Sequence, residues 1–223
     1  MARGKKKLTT AKFVRGARVR SHGYHHGDLR RTLVSAGLDL AAERRLEDFS
    51  LREVARRAGV STAAPYWHFP NRNALLAAIA AECATRWLQA MRDAVKDLGP
   101  DETLRRLQAT GIAHVRFAVE NPEHFRVMEM PWIRKRMPQD VHDEIARFYD
   151  EEGARLVDAQ RQGLLAPMSL DLLKLSTRSL VNGLAYLMIS DDPQVRGLTP
   201  DQAVNVAQQV TRVFGLGLLP RPS

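Results

Sequence analysis

Apolar residues recur with helical spacing along most of the chain, and no segment alternates between apolar and polar residues as a strand would. This pattern predicts an all-α fold. Polar caps, prolines and glycines divide it into separate helices. The predicted helices cover residues 29–42, 51–58, 71–99, 101–120, 122–130, 139–163, 169–190 and 199–217.

Two short helices meet at a tight turn around Gly59. Ser50 and Glu53 have the spacing of a capping box, in which each side chain accepts the backbone N–H of the other residue. The first helix ends at Gly59, because glycine adopts the left-handed conformation of a helix C′ position at little cost. Such a pair of helices indicates a DNA-binding helix-turn-helix, whose second helix enters the major groove.

The second helix of the pair is expected to begin at Ser61, whose side chain is placed to cap it. Pro65 would be the fourth residue of this helix. Because proline has no backbone N–H, the first hydrogen bond of the helix is lost. We therefore expect either a late start or an irregular first turn.

This segment resembles the helix-turn-helix of the TetR family of bacterial transcriptional repressors. The resemblance rests on residues 58–61 (AGVS), on Tyr66 to Phe69, on Arg72 and on the leucine pair at 75–76, and it covers residues 25–80. Pro65 is a departure, since many members carry leucine there. The resemblance implies an N-terminal three-helix DNA-binding domain followed by a C-terminal helical regulatory and dimerisation domain.

The family motif also implies which residues meet double-stranded DNA. The base-facing positions are expected at Thr62, Ala63 and Trp67. Phosphate contacts set the register of a protein on the duplex, whereas base contacts specify the sequence. The residues expected to hold phosphates are Ser50, Arg52, Ser61, Tyr66, His68 and Arg72.

The formal net charge of the chain is +9, and the excess lies at the N-terminus. Residues 1–31 contain ten Lys or Arg and one Asp, whereas the rest of the chain carries equal numbers of both signs. A basic segment beside a reading helix is typical of DNA-binding proteins. We interpret residues 1–24 as a basic mobile arm, although a merely solvated tail would have the same composition.

Other features narrow the class of protein. Cys83 is the single cysteine, which excludes an internal disulfide and fits a cytoplasmic location. The chain has no phosphate-binding loop, zinc motif or nucleophile elbow, so we expect no catalytic activity, no cofactor and no metal site. No apolar run reaches the roughly 18 residues that a membrane-spanning helix needs.

The TetR resemblance further implies a cavity for a small-molecule effector among the helices after residue 71. Large apolar side chains at helical spacing usually belong to a core, yet methionines beside aromatic rings suit an adaptable apolar pocket. We expect a mostly apolar ligand, with His114, Asn182 or Tyr186 as polar anchors. The other expected ligand-binding residues are Trp87, Met91, Phe117, Phe125, Met128, Trp132 and Tyr149.

The last two helices are expected to form a homodimer interface, as implied by the family. The first of them carries the small residues Ser176, Ser179 and Gly183 along one face, which would let a second helix approach closely. The second would contribute Val206, Val210 and Phe214. The alternative is that both helices pack in the core of a monomer.

The region after residue 100 resembles, more weakly, a TetR regulatory domain named for a Trp-His-Gly pattern. The similarity rests on residues 121–123, 125–126 and 181–184. Arg178 and Asn182 stand where that pattern has its Trp and His. The ligand chemistry of that subgroup is therefore not transferred to this chain.

Together these features predict a domain order and a function. The segments are the arm (1–24), a helix-turn-helix domain (25–71), a helical ligand-binding and dimerisation domain (72–217) and a tail (218–223). The expected function is that of a transcriptional repressor released from a palindromic operator by its ligand. The alternative is a nucleoid-type architectural DNA-binding protein without an inducer.

Overall fold

The computed structural model describes residues 26–43, 50–190 and 192–220, and every regular element in this part of the chain is a helix. The predicted all-α fold is thereby confirmed, whereas the basic arm lies outside the described residues. The elements are α1 (His26–Glu43), α2 (Leu51–Arg57), a short 3₁₀ helix (Ala64–Trp67), α3 (Arg72–Val95), α4 (Thr103–Glu120), α5 (Pro122–Glu129), α6 (Pro131–Arg134), α7 (Gln139–Arg161), α8 (Leu170–Met188) and α9 (Pro200–Gly217).

Side-chain caps set where several of these helices begin. Asn71 accepts the N–H of Ala74 at 3.0 Å at the start of α3, and Thr199 forms a capping box at the start of α9. Asn121 precedes α5 but does not cap it, because its amide donates to the carbonyl of Phe117 at 3.3 Å. That helix begins on Pro122, which has no N–H to satisfy.

α3 is shared by the two domains. Its first half packs against α1 through Leu75 and Ile79, which are fully buried in a core that continues into α4. The approach is close at Gly37 of α1, where a Cβ would lie 2.8 Å from Ile79 Cδ1. The boundary predicted at residue 71 therefore falls at the cap of a helix that runs without interruption from one domain into the other.

α4 is the central helix of the C-terminal domain, and it contacts α3, α5, α7, α8 and α9. Gly111 allows the close packing, because a Cβ there would lie 3.1 Å from Thr211 of α9 and 3.2 Å from Val181 of α8. None of the described helices combines the length and the apolar character required to cross a lipid bilayer.

An ion pair between a buried arginine and a half-buried glutamate joins α4 to α7. The Arg106 guanidinium donates to the Glu152 carboxylate at 2.5 and 3.1 Å. It also donates to the carbonyl of Val95, the last residue of α3, and to that of Leu98 just beyond the helix. A buried guanidinium is tolerated because its donors are satisfied and its charge is paired.

Candidate DNA interface and ligand cavity

The capping box at the start of α2 is confirmed. Ser50 Oγ accepts the N–H of Glu53 at 3.3 Å, and Glu53 Oε2 accepts the N–H of Ser50 at 2.8 Å. The Ser50 hydroxyl also donates to Glu53 Oε2 at 2.9 Å. The predicted turn is confirmed as well, since Gly59 has a φ of 69°.

The second helix of the motif is tighter than an α-helix, and we call the 3₁₀ segment Ala64–Trp67 the recognition helix. Pro65 has no N–H to continue an α-helical ladder, and Tyr66 and His68 instead bond to carbonyls three residues earlier, at 3.1 and 3.0 Å. The expected irregular start is confirmed. The expected Ser61 cap is wrong, because the helix begins too late for the Ser61 side chain to reach it.

The recognition helix has a buried side and an exposed side. Pro65 and Phe69 are buried, and the Arg30 guanidinium of α1 lies 5.5 Å from the centroid of the Phe69 ring. On the other side Tyr66 is 51% exposed and Trp67 is 85% exposed. The buried pair thus anchors a helix whose two adjacent aromatic rings face solvent.

The remaining predicted DNA-binding residues lie between the start of α2 and the start of α3. Arg52 is exposed and has no ion pair among the residues described, and Ser61 likewise has no side-chain hydrogen bond there. Their polar groups are therefore available to phosphates. Of the predicted set, the exposed members are Ser50, Arg52, Ser61, Thr62, Ala63, Tyr66 and Trp67, and the half-buried members are His68 and Arg72.

A cavity of about 320 Å³ lies in the C-terminal domain between α3, α4, α5, α6, α7 and α8. Its aromatic wall is built on Trp87, whose ring lies 6.4 Å from Phe148 and 5.9 Å from Tyr149 between centroids. The residues predicted from the sequence that do line the cavity are Trp87, Met91, His114, Met128, Tyr149 and Asn182.

Three residues of the predicted ligand-binding set, Phe117, Phe125 and Tyr186, do not line this cavity. Phe125 is fully buried with its ring edge-on to His114 at 5.3 Å, and Tyr186 covers it from outside at 5.4 Å. Phe117 packs instead against His124. The helical spacing of these apolar residues predicted that they lie on the inner faces of their helices, but it did not show which of them border the cavity. The side chain of Trp132 lies outside the described residues.

His114 is a neutral hydrogen-bonding group in the cavity wall. The Trp87 indole N–H donates to His114 Nδ1 at 3.1 Å, so the proton of the neutral ring sits on Nε2. Burial lowers the pKa of His114 to about 4, and Asn182 opposes this shift while the charge of Arg178 adds to it. Nε2 itself is buried with no partner in hydrogen-bonding geometry among the described residues.

The cavity also has charged walls, which the sequence reasoning missed. Charged residues on an amphipathic helix are ordinarily assigned to its solvent face, and nothing in the local pattern showed that these residues border a cavity. Burial raises the pKa of Tyr149, the charges of Arg178 and Arg134 lower it, and the charge of Glu129 raises it further. The charged residues of the lining are Glu129, Arg134, Glu152, Lys174 and Arg178.

Comparison with known proteins agrees with this geometry. Residues 33–79 match the N-terminal sequence profile of bacterial regulatory proteins of the tetR family. Tetracycline repressor protein class A from transposon 1721 of Escherichia coli is 45% identical over 49 residues, which are 22% of this chain and 23% of the repressor. These two matches identify residues 33–79 as a TetR-type DNA-binding domain.

Solved structures extend the likeness beyond the DNA-binding domain. A protein of unknown function from Rhodococcus sp. RHA1 is 27% identical with a TM-score of 0.67, over 92% of this chain and 100% of that one. The TetR family transcriptional regulator PfmR from Thermus thermophilus is 24% identical with a TM-score of 0.62, over 86% and 97% of the two chains. The C-terminal domain therefore has a TetR-type helical fold.

Within the part of the chain that the structure describes, exposed apolar side chains concentrate on α8 and α9. Among them, Leu175 is 63% exposed and Val213 is 71% exposed. Gly183 faces open space, since a Cβ there would meet no atom within 4 Å. Of the predicted dimer residues, Ser179 and Gly183 are exposed, and Ser176, Val206, Val210 and Phe214 are half-buried.

Proposed function

We propose that this protein is a dimeric TetR-family repressor that binds a palindromic operator and leaves it when a small ligand occupies the cavity. The observation that carries the proposal is the exposed side of the recognition helix. Trp67 offers apolar contact for a thymine methyl group, and Thr62 can bond to base edges. Arg52 and Ser61 beside them are suited to phosphate oxygens.

The dimer is supported by the apolar face of α8 and α9. Soluble monomers rarely keep a large contiguous apolar patch exposed, and such patches mark interaction sites. The open position at Gly183 would allow a helix of a second copy to come close. A two-fold dimer would present two recognition helices to half-sites about 34–36 Å apart, as a palindromic operator requires.

α3 supports the coupling between ligand and DNA. It starts directly after the recognition helix and carries Trp87 into the cavity, about 22 Å further along at 1.5 Å per residue. A second connection runs through α5, which contacts α1 and carries Met128 into the cavity. A ligand shifts the population only if it binds the released conformation more tightly than the DNA-bound one.

The test begins with selection of bound sequences from random DNA, followed by affinity measurements on the selected operator. Trp67→Ala should weaken operator binding by about tenfold or more, since a specific base contact is worth roughly 1–3 kcal/mol. The melting temperature should not change, because the ring is 85% exposed. Leu164→Ala, at a 50% exposed position after α7, is the matched control.

Two outcomes would contradict the proposal. Equal binding to all sequences would favour the architectural alternative. Selective binding that is unaffected by Trp67→Ala would remove the recognition helix from the reading surface.

A further inference from the structure

The cavity carries more positive charge than its own carboxylates neutralise. Arg134 of α6, which is half-buried, and Lys174 and Arg178 of α8, which are exposed, all line it, so they border the cavity where it opens to the surface. The two α8 side chains are one helical turn apart, so they lie on the same face. None of the three forms an ion pair with a residue that the structure describes.

The two carboxylates of the lining, Glu152 and Glu129, differ in how far other protein groups neutralise their charge. Glu152 receives two hydrogen bonds from Arg106, and Arg155 lies 3.5 Å away, so its charge is compensated within the protein. Glu129 accepts one long bond, at 3.4 Å, from the Asn182 amide. A single carboxylate therefore remains against three cationic side chains.

Other residues of the lining are apolar and aromatic. Trp87, Met91 and Leu156 are buried there, and His114 adds a neutral ring with an N–H at Nε2. A ligand suited to this cavity must offer an apolar body to these side chains and an anionic end to the basic ones.

We propose that the ligand is a monocarboxylic acid with an apolar or aromatic body, held by its carboxylate between Arg134, Arg178 and Lys174. This deepens the proposed function and rests on its ligand site. Planar guanidinium groups bind carboxylates through paired, charge-assisted hydrogen bonds. The volume of about 320 Å³ lies at the small end of ligand pockets, which favours a compact acid over a nucleotide-bearing ester.

The test is calorimetric titration of the full chain, without DNA, with a panel of straight-chain and phenyl-substituted monocarboxylic acids of about six to twelve carbons, a size the cavity accepts. Each acid is paired with its primary amide, which keeps the shape and removes the charge. At least one acid should bind tenfold or more tightly than its amide. Amides that bind as well as their acids throughout the panel would overturn the proposal.

Variants then locate the anionic end. Arg178→Gln and Arg134→Gln should each weaken the best acid by tenfold or more while leaving its amide unchanged. Arg116→Gln is the control, at an exposed position of α4 that does not line this cavity. Equal affinity in all three variants would refute the basic end. Tighter binding of the matching alkyl phosphate than of the acid would replace the carboxylate with a phosphate.

Failure of the ligand assignment and failure of the proposed function give different results. If an acid binds but operator affinity is unchanged, the proposed release from DNA is refuted, whereas the proposed carboxylate site stands. If only neutral compounds release the protein from operator DNA, the proposed regulation stands, whereas the proposed carboxylate ligand is refuted.

Discussion

At the scale of single residues, the described part of the C-terminal domain contains two buried basic side chains, Arg106 and His114, that differ in charge. Arg106 keeps its charge because Glu152 and two backbone carbonyls satisfy its donors. His114 instead gives up its charge, since burial brings its pKa to about 4. Its Nδ1 is then free to accept the indole N–H of Trp87. The stability of the fold should consequently depend on pH through His114.

His114 predicts a loss of stability in mild acid. The pKa of a histidine in an unfolded chain is 6.5, whereas that of His114 in the folded protein is about 4. As the pH falls, His114 is therefore protonated in the unfolded chain before it is protonated in the folded protein. The stability that neutral His114 contributes is fully present above pH 6.5 and is lost by about pH 4. The loss amounts to about 3 kcal/mol in the free energy of unfolding.

The measurement is urea unfolding of the wild type and of His114→Gln between these two pH values. Glutamine can still accept the bond from Trp87 but does not titrate, so the variant should show a flatter dependence on pH. His124, whose pKa burial also lowers, is present in both proteins and cancels. Parallel slopes would show that His114 is not the titrating group.

At the scale of elements, one helix in each domain begins with the same kind of cap. α2 starts with the Ser50 capping box beside the predicted DNA surface. α9 starts with the Thr199 capping box, where the Thr199 N–H donates to Gln202 at 2.8 Å. The two caps are chemically alike, so they form a matched pair for separating a structural role from a DNA contact.

Ser50→Ala and Thr199→Ala should each lower the free energy of unfolding by about 1 kcal/mol, the usual effect of losing an N-cap. Only Ser50→Ala should also weaken operator binding, because it disturbs the α2 terminus expected to meet phosphate. Chemical denaturation and operator titration of both variants provide the comparison. If both variants keep wild-type operator affinity, Ser50 caps α2 but does not contribute to DNA binding.

At the scale of the whole molecule, the apolar face of α8 and α9 predicts that assembly can be separated from folding. Gly183→Glu introduces a charge at a position that is open within one protomer, so the fold should tolerate it. In the proposed dimer the same charge would be buried without a partner, which is costly. Sedimentation at micromolar concentration should show a monomer with an unchanged helical circular-dichroism spectrum.

The control is Gln89→Glu, which adds the same charge on an exposed position of α3 outside the proposed interface. It should sediment like the wild type. A dimer that persists in Gly183→Glu would move the interface to another surface.

Features that depend on residues close in sequence could be predicted without the fold. The capping box at Ser50, the left-handed Gly59 and the irregular helix around Pro65 each follow from bonds within about one helical turn. The TetR resemblance depends on the same stretch. The residues that carry it are close together in the sequence, so the motif can be recognised without the fold.

Features that depend on how helices pack were decided only by the tertiary structure. Arg106 and Glu152 are 46 residues apart, and no local pattern pairs them. Helical spacing placed Trp87 and Phe125 alike on apolar stripes, but packing turned the first toward the cavity and enclosed the second among other rings. The basic residues of the lining could not be predicted for the same reason, since the neighbouring helices decide whether an exposed charged side chain borders a cavity.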